Sequence, residues 1–385
     1  MSGEPGFRTL VREFAREVVG PRAAAIDREH RFPRDVIDEA ARAGLLGILV
    51  PAVYGGMGLD HRCFAACIEE LAAACASTAV IVDVHGSVAT EPILRFGSEE
   101  QRRAWLPRLA RGEVLGAFAL TEPGSGSDAA GLRTTARRRG SEWVLTGTKV
   151  FVTNVGEAGL YIVFARTGEV PGARGVSAFL VPADRPGLRV GQIFAKMGLH
   201  GSPTGELVLE EVRVPAANLL HAPGRGFEVA MRCLDSGRIG ISAQGLGIAR
   251  AALGEALDRA RAQGDGGRET AVALADLAAR LEAGRGLVEC AARRCSADLP
   301  FTREASMAKL FCTDLAMEAA STALEVMGEA GEEQGFGRHF RDAKALQIYE
   351  GTNQVQRVVI ARQLLRPAAA IPASGAPGGA AGRSG

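Results

Sequence analysis

This 385-residue sequence has almost no net charge, since 45 Lys and Arg residues oppose 44 Asp and Glu residues to give +1. Without a basic excess there is no electrostatic basis for binding nucleic acid or an anionic membrane surface. The chain also lacks any apolar run near the about 20 residues of a membrane-spanning helix. Its N-terminus lacks the charged, apolar and small-residue order of a signal peptide. These absences predict a protein without nucleic-acid or membrane partners.

Patterns typical of metal sites and disulfides are absent as well. The six histidines include no H-x-x-x-H pair, and the seven cysteines include no C-x-x-C pair. Cys63, Cys67 and Cys75 fall at helical spacing, and Cys290 and Cys295 lie in another helical segment. An odd count at this spacing favours buried free thiols in a reducing cytoplasm over metal ligands or disulfides. We therefore predict a cytoplasmic protein without a bound metal ion.

The hydrophobic pattern, with 47% hydrophobic residues, divides the chain into four stretches. Residues 1–112 are helical in pattern, beginning with the three- and four-residue apolar repeat of Phe7 to Asp27. Residues 113–225 contain short segments rich in β-forming residues between Gly, Pro, Asp and Asn turns. Residues 226–366 are helical again. Residues 367–385 are mostly Ala, Gly, Pro and Ser, which predicts a disordered tail.

The middle stretch predicts about seven strands, which suggests a barrel or sandwich of roughly 100 residues. The predicted strands are Val114 to Leu120, Leu132 to Arg137, Trp143 to Leu145, Leu160 to Phe164, Val176 to Val181, Leu188 to Ile193 and Glu206 to Val214. No G-x-G-x-x-G follows a strand, which argues against a Rossmann domain.

The third stretch predicts four long helices with short connections, and this arrangement indicates a bundle. The predicted helices are Phe227 to Gln263, Arg268 to Ala297, Thr302 to Val326 and Asp342 to Leu365. The overall fold class is therefore α+β, with helical parts on either side of a β-rich part.

A single carboxylate near the C-terminus is the first candidate for chemistry. Glu350 stands between the aromatic Tyr349 and Gly351, within the segment Ile348 to Gln354. Glycine lets another backbone or a ligand approach closely. Apolar neighbours remove hydration from a carboxylate and raise its pKa toward the range of a general base. The alternative interpretation is a surface glutamate at a helix start.

A small-residue loop is the second candidate. It lies within Phe118 to Asp128, where Leu120 is predicted to end a strand. Gly124 to Ser127 can direct several backbone N–H groups at one anion, as a phosphate-binding nest does. The alternative interpretation is an ordinary Gly/Ser turn.

Four more segments accompany these two in a specific order across the three predicted domains. They are Lys149 to Asn154, Met197 to Thr204, Leu234 to Gly240, and Arg341 to Lys344 leading into Glu350. With them the chain resembles the acyl-CoA dehydrogenase family over roughly residues 7 to 366. The short-chain, butyryl-type members look similar through Asp235 to Ile241. The resemblance implies an N-terminal all-helical domain, a central β-barrel domain and a C-terminal four-helix bundle.

The resemblance also implies FAD bound between the barrel and the bundle. Thr121 and the backbone near Leu120 match the contacts to the flavin pyrimidine edge, and Ser127 matches the pyrophosphate side. Phe151 matches the residue against the isoalloxazine, and Thr153 matches the group facing N5. The other implied cofactor residues are Phe118, Gly126, Arg261, Thr352 and Gln354. The implied substrate residues are Ser127, Asp235, Arg238, Tyr349 and Gly351.

The chemistry that the resemblance implies is α,β-dehydrogenation of a short-chain acyl thioester. Glu350 is expected to remove the α-proton while flavin N5 accepts the β-hydride. Hydrogen bonds to the thioester carbonyl, from the Glu350 backbone N–H and the FAD ribityl chain, would stabilise the developing enolate. Some family members place the base on the first bundle helix, but the corresponding position here is Gly237. An electron-transfer flavoprotein is the implied electron acceptor.

Two segments depart from the family pattern. The family's Arg-x-Gln-Phe-Gly is here Arg261 to Gly264 without the Phe, and Glu325 and Glu329 replace a neutral Gln and a Gly. In the family both segments contact the ADP half of FAD bound by a neighbouring subunit. Two carboxylates near a pyrophosphate repel it. We expect weaker FAD binding, displaced segments, or an assembly different from the usual tetramer.

Three functions remain open from the sequence. The first is an acyl-CoA dehydrogenase, and the second is a dehydrogenase of acyl groups on a carrier protein. The third is a non-catalytic descendant with weakened FAD binding. The expected assembly is a homodimer or a homotetramer.

Overall fold

The N-terminal part is helical in the computed structural model, which describes residues 4–264, 267–328 and 337–365. Ser98 illustrates how a helix start is specified: its hydroxyl accepts from the Gln101 N–H at 3.2 Å, and the Gln101 side chain accepts from the Ser98 N–H at 3.0 Å. The helices are α1 (Glu4–Phe14), α2 (Gly20–Glu29), α3 (Arg34–Arg42), α4 (His61–Ala74), α5 (Ala76–Asp83), α6 (Glu91–Phe96) and α7 (Glu99–Ala110).

Two π-helical turns lie between helices of the N-terminal part, and the first falls within the apolar repeat of Phe7 to Asp27. Ala15–Val19 joins α1 to α2, and Val84–Thr90 joins α5 to α6. π turns frequently occur at functional sites.

The middle part is one eight-stranded sheet with the order β6-β7-β3-β2-β4-β5-β8, and β1 pairs with β4. The pairs β1–β4 and β2–β4 are parallel, whereas the other strand pairs are antiparallel. The strands are β1 (Gly116–Ala119), β2 (Thr135–Arg139), β3 (Glu142–Thr153), β4 (Leu160–Arg166), β5 (Val176–Pro182), β6 (Leu188–Ile193), β7 (Thr204–Pro215) and β8 (Leu219–Leu220).

The sheet is not a closed barrel, and this corrects the predicted β-barrel. Within the described residues, β6 and β8 end the sheet and do not pair with each other. Strand periodicity gives the faces of each strand but not its neighbours, so closure could not be read from the sequence. The strand predicted at Trp143 to Leu145 is the start of β3, which continues to Thr153 through two register shifts.

The C-terminal part contains five helices among the described residues: α8 (Gly226–Ala262), α9 (Arg268–Ser296), α10 (Thr302–Met327), α11 (Gly337–Leu346) and α12 (Asn353–Leu364). The single helix predicted from Asp342 to Leu365 is therefore two helices. The break between them follows from Gly351, at φ 94°, and from Thr352, whose Oγ1 accepts from the Val355 N–H at 3.2 Å and starts α12. The predicted tail, residues 367–385, lies outside the described residues.

Helix α8 connects the three parts. It packs against α4 and α5, against α9 and α10, and against β5. Ile239 and Leu246 of α8 are buried in one hydrophobic core with Leu71 of α4 and Leu315 of α10. The position of residues near the start of α8 is therefore fixed from several sides. Among the described helices, none is long and apolar enough to cross a membrane.

Candidate active site

Glu350 lies in the turn between α11 and α12, in a conformation that the sequence did not predict. Its φ is 51°, a left-handed value that is uncommon for a residue with a Cβ and that costs on the order of 1–3 kcal/mol. Its Oε2 is buried and has no hydrogen-bond partner among the described residues. Strained backbone and an unsatisfied carboxylate together are typical of a functional position.

The helix facing Glu350 has no side chain at the point of contact. A Cβ added at Gly237 would lie 2.8 Å from Cδ of Glu350, which is closer than real Cβ atoms approach other atoms. The carboxylate therefore occupies space that any other residue at this position of α8 would fill. Gly237 cannot act as a base, and its absence of a side chain makes room for Glu350.

Two cations act on the charge of Glu350. Burial raises the pKa of this carboxyl to about 7, while Arg238 and then Lys309 oppose that rise. Burial lowers the pKa of the Lys309 ammonium to about 7, and the Glu350 charge opposes that change. A carboxyl group with a pKa near neutrality exists in both protonation states at the working pH, as a general base must.

Three buried side chains hold the Glu350 turn, and the sequence did not single them out. Gln356 Nε2 donates to the Gly351 carbonyl at 2.9 Å and to the Glu350 carbonyl at 3.3 Å. Lys309 Nζ donates to the Gly351 carbonyl at 3.0 Å and to Asn353 Oδ1 at 2.8 Å. The available signal was a lysine on the mostly apolar buried face of α10.

Four of the predicted substrate residues meet at this turn. An added Cβ at Gly351 would lie 3.8 Å from Arg238 Nη2, and Arg238 Nη1 donates to Asp235 Oδ1 at 2.5 Å. Tyr349 Oη donates to Gln244 Oε1 at 2.6 Å, which orients the ring. The fifth predicted residue, Ser127, is exposed in the loop after β1, so these contacts do not include it.

The flavin residues predicted on the sheet lie around Phe151. The Thr121 carbonyl accepts from the Val150 N–H at 2.9 Å, and Thr153 pairs with Thr204 of β7. Phe151 is 66% exposed and has a φ of 57°. A large aromatic ring held outward in a rare conformation suits stacking against a planar ring system. These residues fit the isoalloxazine of FAD.

The loop after β1 is open enough to receive a phosphate group. Gly126 and Ser127 are exposed, and an added Cβ at Gly126 would have no heavy atom within 4 Å. Leu120 is buried and its carbonyl accepts from Lys149 Nζ at 3.1 Å, so this carbonyl already has a partner. Phe118 is half-buried, with its ring 4.9 Å from that of Phe164.

The remaining predicted cofactor residues lie apart from this loop. Thr352 Oγ1 serves as the cap of α12, and Gln354 is exposed on the first turn of that helix. Arg261 is exposed near the end of α8 and pairs with Asp258 at 3.0 Å. It follows Gly237 by 24 residues, which is about 36 Å along the helix. Arg261 is therefore remote from Glu350 of its own chain.

Of the two altered acidic positions, one lies within the described residues. Glu325 is exposed in the last turn of α10. Glu329 lies outside the described residues. The predicted repulsion of the FAD pyrophosphate stays a prediction.

A buried ion pair supports the loop after β1. Glu122 accepts from Lys149 Nζ at 2.7 Å and from the N–H groups of Arg133 at 2.6 Å and Thr134 at 2.9 Å. Burial lowers the pKa of Lys149 to about 8, although the Glu122 charge opposes this. All these donors would lose their acceptor if the carboxylate were removed.

We expect Glu122→Leu to destabilise the protein by about 3–5 kcal/mol, because it leaves the Lys149 charge buried without its counter-ion. A lower midpoint of chemical denaturation would measure this loss. The control is Glu142→Gln, which removes a half-exposed partner of Arg213 at 3.4 Å and should cost about 0–1 kcal/mol. Equal midpoints for the two variants would contradict the role assigned to Glu122.

A polar cluster lies behind the site, where His61, Glu91 and Cys295 place ligand atoms within 4.8 Å of one another. Glu91 already accepts from Arg95 and Ser236 and contacts His61 Nε2 at 3.3 Å. The His61 pKa rises to about 10; burial opposes the rise, and Glu91 is its main cause. A guanidinium in contact with the same carboxylate would repel a metal ion, so the cluster is better explained as an internal ion-pair network.

Three family models match consecutive parts of the chain. The descriptions are acyl-CoA dehydrogenase N-terminal domain over residues 4–113, middle domain over residues 117–212 and C-terminal domain over residues 224–365. An acyl-CoA dehydrogenase of Bacillus subtilis is 46% identical over 367 residues, covering 93% of this chain and 97% of the relative. The human mitochondrial short-chain specific acyl-CoA dehydrogenase is 44% identical, covering 92% and 88%.

Solved structures agree with these relatives. Butyryl-CoA dehydrogenase from Megasphaera elsdenii has a TM-score of 0.92 at 39% identity and covers 95% of this chain and 99% of its own. A chain from a structure described as the electron transferring flavoprotein of Acidaminococcus fermentans has a TM-score of 0.93 at 40% identity, with coverage of 95% and 99%. The prolyl acyl carrier protein oxidase AnaB has a TM-score of 0.91 at 32% identity, with coverage of 95% and 100%.

The match extends over all three parts of the fold and, in the relatives, over nearly the whole chain. The chain belongs to the acyl-CoA dehydrogenase family of FAD-dependent oxidoreductases acting on CH–CH bonds.

Proposed function

We propose that this protein removes hydrogen from the α- and β-carbons of a short-chain acyl-CoA, with Glu350 as the base. The observation that supports this most directly is the buried Oε2 of Glu350, which has no hydrogen-bond partner among the described residues and lies against Gly237. Burial also raises the pKa of this carboxyl to about 7. The similarity to the human short-chain enzyme and to butyryl-CoA dehydrogenase supports a short acyl chain.

The residues of this chain prepare and carry out the proton transfer. Glu350 accepts the α-proton on its carboxylate, and its backbone N–H is placed in the same turn to donate to the thioester carbonyl as negative charge develops there. Lys309 and Gln356 hold the turn through the Gly351 carbonyl. FAD, when bound, supplies the acceptor for the hydride that leaves the β-carbon, so that a carbon–carbon double bond results.

Residues of the sheet are proposed to hold the cofactor. Phe151 would stack on the flavin, Thr121 and Thr153 would contact its polar edge, and the exposed loop with Gly126 and Ser127 would receive the pyrophosphate. We further propose an electron-transfer flavoprotein as electron acceptor, which the similarity to the Acidaminococcus fermentans structure supports. The cysteines are free, as expected in a reducing compartment such as the cytoplasm.

The flavin itself provides the test. We expect the purified protein to be yellow, and anaerobic addition of butyryl-CoA should bleach the flavin absorbance. Failure of every short acyl-CoA to bleach a flavin-loaded sample would contradict the proposed function. A colourless protein that does not take up added FAD would favour a non-catalytic descendant.

A second candidate is dehydrogenation of an acyl group held on a carrier protein. The similarity to the prolyl acyl carrier protein oxidase supports it. The two candidates differ in the thiol that presents the acyl group. Faster bleaching by an acylated carrier protein than by the matching acyl-CoA would favour the second.

The rate of bleaching should depend on pH through Glu350. Its pKa is raised to about 7, so the carboxyl is protonated below that pH and cannot accept the α-proton. We expect the single-turnover rate to rise with pH, with a midpoint near 7, and to level off once the carboxyl is fully ionised above that midpoint.

The variant Lys309→Met should move the midpoint of this pH profile upward, because it removes a positive charge that favours the carboxylate. The exposed Lys344 contacts Gln347 and provides the control Lys344→Met, which should leave the midpoint unchanged. A Lys309→Met midpoint equal to that of wild type would contradict the proposed coupling.

We propose a homodimer or homotetramer in which a partner subunit completes the FAD site. Arg261 is about 36 Å along α8 from Gly237, so it can contact FAD only in another chain. Exposed apolar side chains on the bundle, at Val272, Val358 and Leu364, are suited to burial between subunits. Light scattering of the FAD-loaded protein should give at least twice the 40.2 kDa of one chain. A mass near that of one chain would contradict this proposal.

A further inference from the structure

Asp83 is a fully buried residue that the proposed proton transfer does not use. It ends α5, directly before the π-helical turn Val84–Thr90. Neither of its carboxylate oxygens has a hydrogen-bond partner among the described residues. The nearby Ser87 hydroxyl donates to the Asp83 backbone carbonyl at 2.7 Å, and its interaction with the carboxyl group lowers the pKa of Asp83 by less than burial raises it. A buried carboxylate without donors is unfavourable, so a donor from outside the protein would be stabilising.

Two glycines on one face of α8 place Asp83 beside Glu350. An added Cβ at Gly240 would overlap the Asp83 carboxylate, as one at Gly237 would overlap that of Glu350. Residues three apart on a helix have Cβ positions about 5–6 Å from each other. The two carboxylates therefore lie next to one another along the helix. Burial, followed by the Glu350 charge, raises the pKa of Asp83 well above its usual range.

Other buried carboxylates close by have partners within the protein. Glu91 accepts from Arg95 and Ser236, and Asp235 accepts from Arg238 at 2.5 Å. Asp83 differs because both of its oxygens lack such donors, although it adjoins the base.

Building on the dehydrogenase function proposed above, we propose that Asp83 selects the acyl chain. The preferred substrate is a short acyl thioester that carries a hydroxyl or amino group beyond its reacting carbons, and Asp83 hydrogen-bonds to that group. A hydroxyl group can pair with either protonation state of Asp83, because it both donates and accepts. An ammonium group pairs with the carboxylate form. A plain butyryl chain remains a substrate, but a poorer one.

Binding of CoA thioethers, which cannot be oxidised or cyclise, tests the proposal by calorimetry. The probes are S-butyl-CoA, S-(4-hydroxybutyl)-CoA and S-(4-aminobutyl)-CoA, added to the FAD-loaded protein. We expect one or both polar probes to bind about tenfold or more tightly than S-butyl-CoA, as a hydrogen bond to a charged group provides. Which polar probe gains more distinguishes a hydroxyl from an ammonium substrate.

Two substitutions of Asp83 assign the preference to its side chain. Asp83→Ala should remove the preference and tighten S-butyl-CoA binding, because the unsatisfied carboxylate is gone. Asp83→Asn keeps the shape and provides the same comparison if the alanine variant folds poorly. The matched control is Thr90→Val, which removes a buried hydroxyl of the same π-helical turn that donates to the His85 carbonyl at 2.7 Å and which should retain the preference. The proposal would be overturned if the wild type bound S-butyl-CoA as tightly as, or more tightly than, both polar thioethers. It would also be overturned if both Asp83 variants kept the wild-type preference for a polar chain.

The result is separable from that of the proposed function. If short acyl-CoAs bleach the flavin but the thioethers show no preference for a polar chain, only the role of Asp83 is wrong. If the Asp83-dependent preference is present but no thioester is oxidised, recognition stands and the dehydrogenase function fails. If no thioether binds, the role of Asp83 is overturned, and bleaching by short acyl-CoAs decides the dehydrogenase function separately.

Discussion

Glu350→Gln should abolish dehydrogenation while leaving the FAD content of the purified protein unchanged. Removal of a general base costs about 10²–10⁴ in rate, and no other side chain on the facing stretch of α8 can take over because Gly237 stands there. The neutral amide keeps the size of the carboxyl group, and it fits a pocket that already disfavours charge. Single-turnover bleaching by butyryl-CoA measures the effect directly.

The comparison variant is Glu17→Gln, an exposed glutamate of the first π-helical turn that pairs with its neighbour Arg16 at 2.8 Å. It should retain the wild-type rate. If Glu350→Gln keeps a rate within tenfold of wild type, another group removes the α-proton. Bound FAD, measured by absorbance after denaturation, shows whether any lost rate comes from an absent cofactor instead.

The sequence singled out Glu350 as the candidate base but did not predict its environment. The motif around it identified the residue, and Tyr349 and Gly351 at its sides suggested an unusual carboxylate. The left-handed φ of 51° could not be predicted, because the pattern from Asp342 to Leu365 continues across the turn as if it were one helix. Lys309 of α10, which is distant in sequence, donates to the Gly351 carbonyl at 3.0 Å and helps to hold this turn.

Sheet closure and the unpaired Asp83 were missed for the same physical reason. Alternation along a strand reports which side chains are buried, whereas closure depends on whether β6 and β8 meet. Asp83 lies in a run of apolar residues, so burial could be expected. Whether a buried carboxylate finds donors depends on helices remote in sequence, and here the α8 residue against Asp83 is Gly240, which has no side chain to donate.

Gly237→Ala should reduce the dehydrogenation rate about 10²-fold, because Glu350 occupies the space that a side chain at this position would fill. The new Cβ would lie 2.8 Å from Cδ of Glu350, so the carboxylate must move. A shift of about 1 Å in a reacting group can cost on the order of 10²-fold in rate. The loss should be in kcat, and FAD content should stay normal.

Gly254→Ala is the matched control on the same helix. An added Cβ there meets no heavy atom within 4 Å, and replacing glycine with alanine inside a helix stabilises it by about 1 kcal/mol. Gly254→Ala should therefore raise the thermal midpoint and keep full activity. Because both variants gain the same helix propensity, a rate lost only in Gly237→Ala must come from the displaced carboxylate. A fully active Gly237→Ala variant would show that Glu350 reaches the substrate from a different position.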